Sequence, residues 1–251
     1  SRAGYDVTNL ERFGLMIRNS ENAAYNYHKQ MVSSGNAWST SDGQQMLWDA
    51  ERTPVTMIAY APYMSEAAPD ASLAVNALTN QTTEENVKSS DFLLMKATVD
   101  PEQDLTADGK LKISLSHAMS KLLIKITVNG TTDAAMNKLG DMSINGAVVN
   151  GICDLSATVP IVVPAPDAVV ATVAPYKGTE SCECILPPQK IAEGFSVNFS
   201  YDGKLYIWTA KEAIELEKGV EHTLTLNVNT TVRLAAKMAR NWATGQLIDR
   251  N

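Results

Sequence analysis

The strongest constraint on this chain is a period of two. Leu111, Ile113 and Leu115 are separated by Lys112 and Ser114. Leu122, Ile124, Ile126 and Val128 occupy every second position, as do Phe195, Val197, Phe199 and Tyr201, and then Leu224, Leu226 and Val228. Successive side chains of a strand point to opposite faces, so each stretch predicts a strand with one buried and one wet face. Turn signals fall between them: Ser34-Gly35-Asn36, Asp108-Gly109, Asn129-Gly130, Asn145-Gly146, Asn150-Gly151 and Asp202-Gly203. Tyr201-Asp202-Gly203-Lys204 predicts a tight hairpin, because Asp and Gly tolerate the positive φ that such turns need. Many short strands with frequent turns predict an all-β chain of antiparallel sandwiches or barrels. Residues 65–80 are rich in Ala but interrupted by Pro69, and 132–139 have room for a helical turn or two; both are expected as loop or short helix.

The alternation changes phase once. Apolar positions are odd through Leu115 and even from Leu122 onward. A one-residue slip swaps the buried face of a strand, so residues 118–121 must hold a bulge, a bend or a crossing between sheets. Read as a junction, it divides the chain into an N-terminal β-sandwich domain, 1–119, and a C-terminal one, 120–251; a bulge within one sheet is the alternative. Six of the ten prolines lie between Pro160 and Pro188, which marks that part as edge strand and loop, since proline cannot donate to a ladder.

From His222 the alternation runs unusually far. Leu224, Leu226, Val228, Val232, Leu234 and Met238 all fall on even positions. A continuous strand over 222–238 would span roughly 55 Å at ~3.3 Å per residue. It either breaks near Asn229-Thr230-Thr231 or overhangs the domain, where it could add itself to another subunit's sheet edge. A short helix over 234–239 is the alternative, since Arg233, Lys237 and Arg240 are helically spaced.

Composition narrows the chemistry. The chain has 251 residues, 45% hydrophobic and 20% charged, an ordinary balance for a folded globular protein. Its formal charge of -7 disfavours nucleic acid or an anionic membrane surface as partner. Three cysteines exclude a disulfide-dense scaffold, and Cys153, Cys182 and Cys184 are expected as buried apolar thiols. His28, His117 and His222 lack the company of a metal site. Asp100, Glu102, Asp104 and Asp108 read as a solvated acidic turn rather than a calcium loop. Neither a phosphate-binding glycine loop nor a nucleophile elbow occurs. No catalytic, cofactor-binding or metal-binding residues are therefore expected. Trp38, Trp48, Trp208 and Trp242 read as core, with a sugar-binding platform as the alternative. The opening Ser1-Arg2-Ala3-Gly4 carries no signal peptide and is read as the start of a trimmed, exported form, with a cytosolic start lacking its Met as the alternative.

An ordered set of motifs resembles the fimbrillin-like surface proteins of Bacteroidales-type bacteria. Arg12-Phe13-Gly14-Leu15-Met16-Ile17 resembles the family's opening strand around a Phe-Gly pair. Trp48 followed by Met57-Ile58-Ala59-Tyr60-Ala61-Pro62-Tyr63 resembles its tryptophan and A-Y-x-P-Y strand. Asp91-Phe92-Leu93-Leu94, His117-Ala118-Met119-Ser120-Lys121-Leu122 and Leu186-Pro187-Pro188-Gln189 resemble its next three segments, in order. Leu216 to Leu224 and Trp242-Ala243-Thr244-Gly245 resemble its closing strand and terminal W-x-x-G, with His222 at a position usually tyrosine. The resemblance implies two transthyretin-like antiparallel β-sandwich domains with few short helices. It implies a non-enzymatic subunit of a surface fimbria (stalk, tip or anchor) serving cell adhesion at the outer membrane. Its partners would be other fimbrial subunits and a host or bacterial surface ligand. Membrane contact would come only through a lipid anchor that these residues do not include. It further implies proteolytic trimming, for which Arg2-Ala3 is the candidate site, and assembly by strand donation, for which Leu224, Leu226, Val228, Val232, Leu234 and Met238 are the candidate donor face. A monomeric surface glycan-binding lipoprotein is the alternative function.

Overall fold

A computed structural model describes residues 4–6, 8–34, 37–130, 132–229, 234–240 and 246–247. The strands of the first half are β1 (Arg12–Arg18), β2 (Tyr27–Ser34), β3 (Ala37–Thr40), β4 (Val55–Ala61), β5 (Ser72–Asn76), β6 (Leu93–Val99) and β7 (Ser114–His117). Then follow β8 (Ser120–Val128), β9 (Thr132–Asp133), β10 (Leu139–Val148), β11 (Asn150–Asp154), β12 (Val162–Pro164), β13 (Val170–Val173), β14 (Tyr176–Lys177), β15 (Cys182–Leu186) and β16 (Gln189–Ile191). The chain closes with β17 (Ser196–Tyr201), β18 (Lys204–Thr209), β19 (Ile214–Leu216), β20 (Glu221–Val228), β21 (Leu234–Arg240) and β22 (Gln246–Leu247). Among the described residues the one α-helix is α1 (Glu84–Ser89). The protein is all-β.

A seven-stranded sheet runs in the order β22-β7-β6-β4-β1-β2-β3, and a six-stranded sheet in the order β14-β15-β8-β20-β21 with β9 paired to β8. Two smaller sheets, β13-β10-β17-β18 and β12-β11-β5, and the ribbon β16-β19 complete the set. Described strand pairs are antiparallel except β8 with β20, which run parallel in register Glu221↔Lys121 to Val228↔Val128. The even positions that set β8 and β20 apart in the sequence share one core: Leu122, Ile124, Leu224, Leu226 and Val228 are all essentially buried.

The phase change at 118–121 is the point where the chain leaves the seven-stranded sheet and enters the six-stranded one. Two buried polar contacts flank it. His117 Nδ1 meets Asp91 Oδ2 at 2.8 Å, and Lys121 Nζ meets Glu183 Oε2 at 2.6 Å. Each places a charge-bearing group in a low-dielectric interior with a partner, the arrangement that offsets desolvation. The two halves are stitched together. β5 pairs with β11, and the Gln81 amide bonds both the N–H and the C=O of Ile185, at 2.8 Å each.

The expectation of loop or short helix over 65–80 is corrected at its centre. Residues 72–76 are strand β5, which buries Leu73 and Val75 and exposes Ser72, Ala74 and Asn76. That is period-two order hidden by high Ala content. The helix lies instead at α1, where Thr83 Oγ1 accepts from the Asn86 amide at 3.2 Å and two glutamates open the first turn. Six residues are too few to show a helical period. The 132–139 stretch contributes a 3₁₀ turn at Met136–Lys138.

Candidate assembly groove

Strand β1 is apolar at both parities, which is the mark of a strand covered on both faces. Its even side is filled in the ordinary way. Met16, with Ile58, Tyr60 and Leu94 of the neighbouring strands, joins the main core together with Leu73 and Val75 of β5. Gly14 is required there by close approach: a Cβ at Gly14 would run into the Tyr60 ring that lies across it. That ring is fixed by its hydroxyl, which meets His28 Nε2 at 2.7 Å and donates to the Met64 carbonyl at 2.8 Å.

The odd side is different. Phe13, Leu15 and Ile17 of β1, Met31 of β2, Trp38 of β3, and Val55 and Met57 of β4 form an apolar sheet face. Among the described residues no second sheet covers it. Two loops wall it instead: Met46, Leu47 and Trp48 on one side, and Leu105, Leu111 and Ile113 on the other. Between them lies a groove of about 720 Å³.

The first wall is pinned to the sheet. Lys29 Nζ pairs with Asp42 at 2.6 Å and donates to Gln44 at 2.8 Å. The Leu47 amide donates to the Tyr27 hydroxyl at 3.1 Å, which donates back to the Leu47 carbonyl at 3.3 Å. At the groove's end Asn19 Nδ2 donates to Asp49 at 2.7 Å, as does the Thr53 amide. Hydrogen bonds from Thr53 and Asn19 hold the Asp49 carboxyl below the usual carboxylate range, against the opposing effect of burial. On the opposite rim Asp108 pairs with Lys110 at 2.8 Å, which brings its carboxyl down to about 2.

Chemistry-bearing side chains do not converge here or elsewhere among the described residues. No cluster of three or more His, Cys, Asp or Glu is disposed to hold a metal ion. The three thiols are buried and unlinked, and burial pushes Cys153 up to about 11 and Cys182 up to about 12, away from thiolate reactivity. The acidic turn spends its carboxylates on its own backbone: Asp104 accepts from the Asp100 amide at 2.7 Å and Asp100 from the Glu102 amide at 2.9 Å. Trp38 and Trp208 pack edge-on against neighbouring rings and do not stack as a platform. Trp38 meets Phe13 with centroids 4.8 Å apart, and Trp208 meets Phe195 at 6.2 Å.

The candidate donor residues divide into two sets. Leu224, Leu226 and Val228 lie in β20, hydrogen-bonded to β8 on one side and β21 on the other, with exposures of 1%, 0% and 0%. They are core of their own chain. Leu234 and Met238 lie in β21, the edge of the six-stranded sheet, at register positions opposite Val228 and Leu224. The long alternation therefore breaks after Val228 and folds back as a hairpin rather than running as one overhanging strand or turning helical. Val232, Arg2, Ala3 and the W-x-x-G motif lie outside the described residues. The groove itself was missed by sequence reasoning, although the two-sided apolar pattern of β1 was its signal.

Segments that carried the resemblance meet in space, Gly14 with Tyr60 and Asp91 with His117, while Gln189 bonds both backbone groups of Val148 at 2.9 Å. A comparison with curated proteins returned no match. Among solved structures, a protein assigned to cell adhesion from Bacteroides uniformis superposes with a TM-score of 0.71 at 16% identity, covering 96% of this chain and 92% of that one. A second, from Bacteroides ovatus, gives 0.71 at 16% identity over 93% and 87%. The C-terminally truncated tip fimbrial protein Mfa3 of Porphyromonas gingivalis gives 0.56 at 11% identity over 96% and 97%. At these identities the likeness establishes the fold. The fimbrillin-like family profile matches residues 2–241, so the chain belongs to the fimbrillin-like family.

Proposed function

We propose that the chain is a structural, non-catalytic subunit of a bacterial surface fimbria, whether stalk, tip or anchor, that serves cell adhesion and joins its neighbours by strand donation. The observation that carries this reading is the apolar face over Phe13, Leu15 and Ile17, walled by loops where a sandwich would have a second sheet. The loops already cover Phe13, Leu15, Val55 and Met57, so an alternating strand from a neighbour would bury its own apolar side chains against the part-exposed Ile17, Trp38, Met46 and Trp48 and the exposed Leu47. A contact between a groove on one copy and a strand on the next is head-to-tail, and such contacts propagate into filaments. Family membership supports the surface location and the other subunits as partners.

Within the candidate donor set, β21 is the element that can leave. It is paired to β20 alone among the described strands, whereas releasing β20 would open the core at Leu224, Leu226 and Val228. The same reading assigns the acceptor to residues 1–119 and the donor to residues 120–251. Trimming at Arg2-Ala3, a lipid anchor and transthyretin-like topology belong to it through the family resemblance. Deletion of residues 235–251 followed by a polymerisation assay tests it. Loss of filaments from an otherwise folded subunit is expected; filaments of normal length would overturn strand donation by this tail.

A further inference from the structure

A different edge of the molecule is built for pairing. Strand β18 ends the sheet β13-β10-β17-β18 and follows a two-residue turn in which Asp202 and Gly203 take φ of 50° and 76°. The turn makes Tyr201↔Lys204 its closing hydrogen-bonded pair, and bonding alternates from there. Tyr206 and Trp208 therefore bond β17, while the N–H and C=O groups of Leu205, Ile207 and Thr209 face away from the sheet. Those same residues carry the exposed side chains: Leu205 is 86% and Ile207 69% exposed.

Three other edges are guarded, whereas β3 and β5 are edges that also lack proline and charge but are only four and five residues long. β12 follows Pro160 and ends in Pro164, β14 is two residues long, and β13 lies between Pro166 and Pro175. β18 is six residues long and contains no proline and no charge beyond the terminal Lys204. Charge, proline and shortness are the usual protections of an edge, and here they are missing.

We propose that β18 is a self-recognition edge, through which two copies of this chain pair antiparallel about a two-fold axis at Tyr206 and join two four-stranded sheets into one of eight. The register follows from the backbone. Outward-facing residues must oppose outward-facing residues, so odd positions pair with odd. An axis at Tyr206 sets Leu205 against Ile207 of the partner subunit, and the reverse, which gathers four apolar side chains on one face. An axis at Ile207 would set Leu205 against Thr209 of the partner subunit and lose that contact. No like charges oppose each other: Lys204 falls opposite Trp208 of the partner subunit, within reach of its ring. The adjoining positions on that face of β17 are the uncharged Ser196, Asn198 and Ser200, so a chain of net charge -7 meets itself here without repulsion. One short strand per copy buries less than the ~1,200 Å² of a stable interface. The contact is weak between free subunits and gains strength where many copies are tethered side by side.

Cysteine pairs read the register directly. Opposed residues in a hydrogen-bonded pair have Cα atoms about 5.5 Å apart, within disulfide reach, while diagonal ones lie about 7–8 Å apart. Under mild oxidation, a mixture of Leu205→Cys and Ile207→Cys proteins is expected to form mixed dimers on the order of tenfold more than either variant alone. Both positions are exposed, so both variants keep the fold. Sedimentation velocity supplies the second arm: Ile207→Pro removes only an outward N–H, which an edge tolerates, and with Leu205→Lys it should abolish concentration-dependent association. Equal cross-linking in all samples, or association unchanged by both substitutions, overturns the proposal. Deletion of 235–251 leaves this contact in place, which separates it from groove-mediated assembly.

Discussion

The sharpest local constraint sits at Gly14. Its missing side chain makes room for the Tyr60 ring, whose hydroxyl joins β2 through His28 and the following loop through Met64. Gly14→Ala should therefore overpack the core and lower stability by about 1–3 kcal/mol in urea unfolding. The same cluster has a pH signature. Burial lowers the His28 pKa from its ordinary 6.5, so the unfolded chain binds the proton more readily. Stability then rises with pH through the window below about 6.5 and is lost as the pH falls through it. Tyr60 and the Tyr63 ring, 5.4 Å away, are the ring groups facing His28, and neither supplies a counter-charge. Thermal melts between about pH 7.5 and 5.5 should show a steeper loss of Tm for the wild type than for His28→Gln. The sequence marked Gly14 and Tyr60 only as separate pieces of a resemblance. Their contact joins residues 46 positions apart, which no local pattern can reveal.

Among the elements, legibility followed burial geometry. β17 and most of β20 have one clean buried parity, and their alternation read correctly; β8 alternates in sequence, but its first five residues are buried on both faces. The Asp202-Gly203 hairpin read correctly because its turn chemistry is local. β5 did not, since small alanines blurred its contrast, and α1 did not, since one and a half turns carry no period. The break of the C-terminal alternation into β20 and β21 has an energetic consequence. Leu226 is fully buried between two hydrogen-bonded neighbours. Leu226→Ala should cost about 2–5 kcal/mol in denaturant unfolding of the isolated subunit.

Across the whole molecule, long-range polar capping ties the halves together. Gln81 completes the edge of β15 at Ile185, 104 residues away, and is itself fully buried. Gln81→Ala would strand a buried N–H and C=O and should cost about 1–3 kcal/mol. A fragment of residues 120–251 would lack both this cap and β5, and should expose more apolar surface than the intact chain, read by dye binding. The groove belongs to this scale too: the two-sided apolar pattern of β1 signals a covered second face, but what covers that face is set by the arrangement of sheets and not by any local pattern. The claim that it receives a neighbour's strand is tested most directly by a photo-cross-linker at Leu47, on the groove wall and 60% exposed, activated in assembled filaments and mapped by mass spectrometry. Cross-links to residues 234–251 of another subunit are predicted; cross-links confined to the same chain, or to surfaces outside any strand, would contradict it.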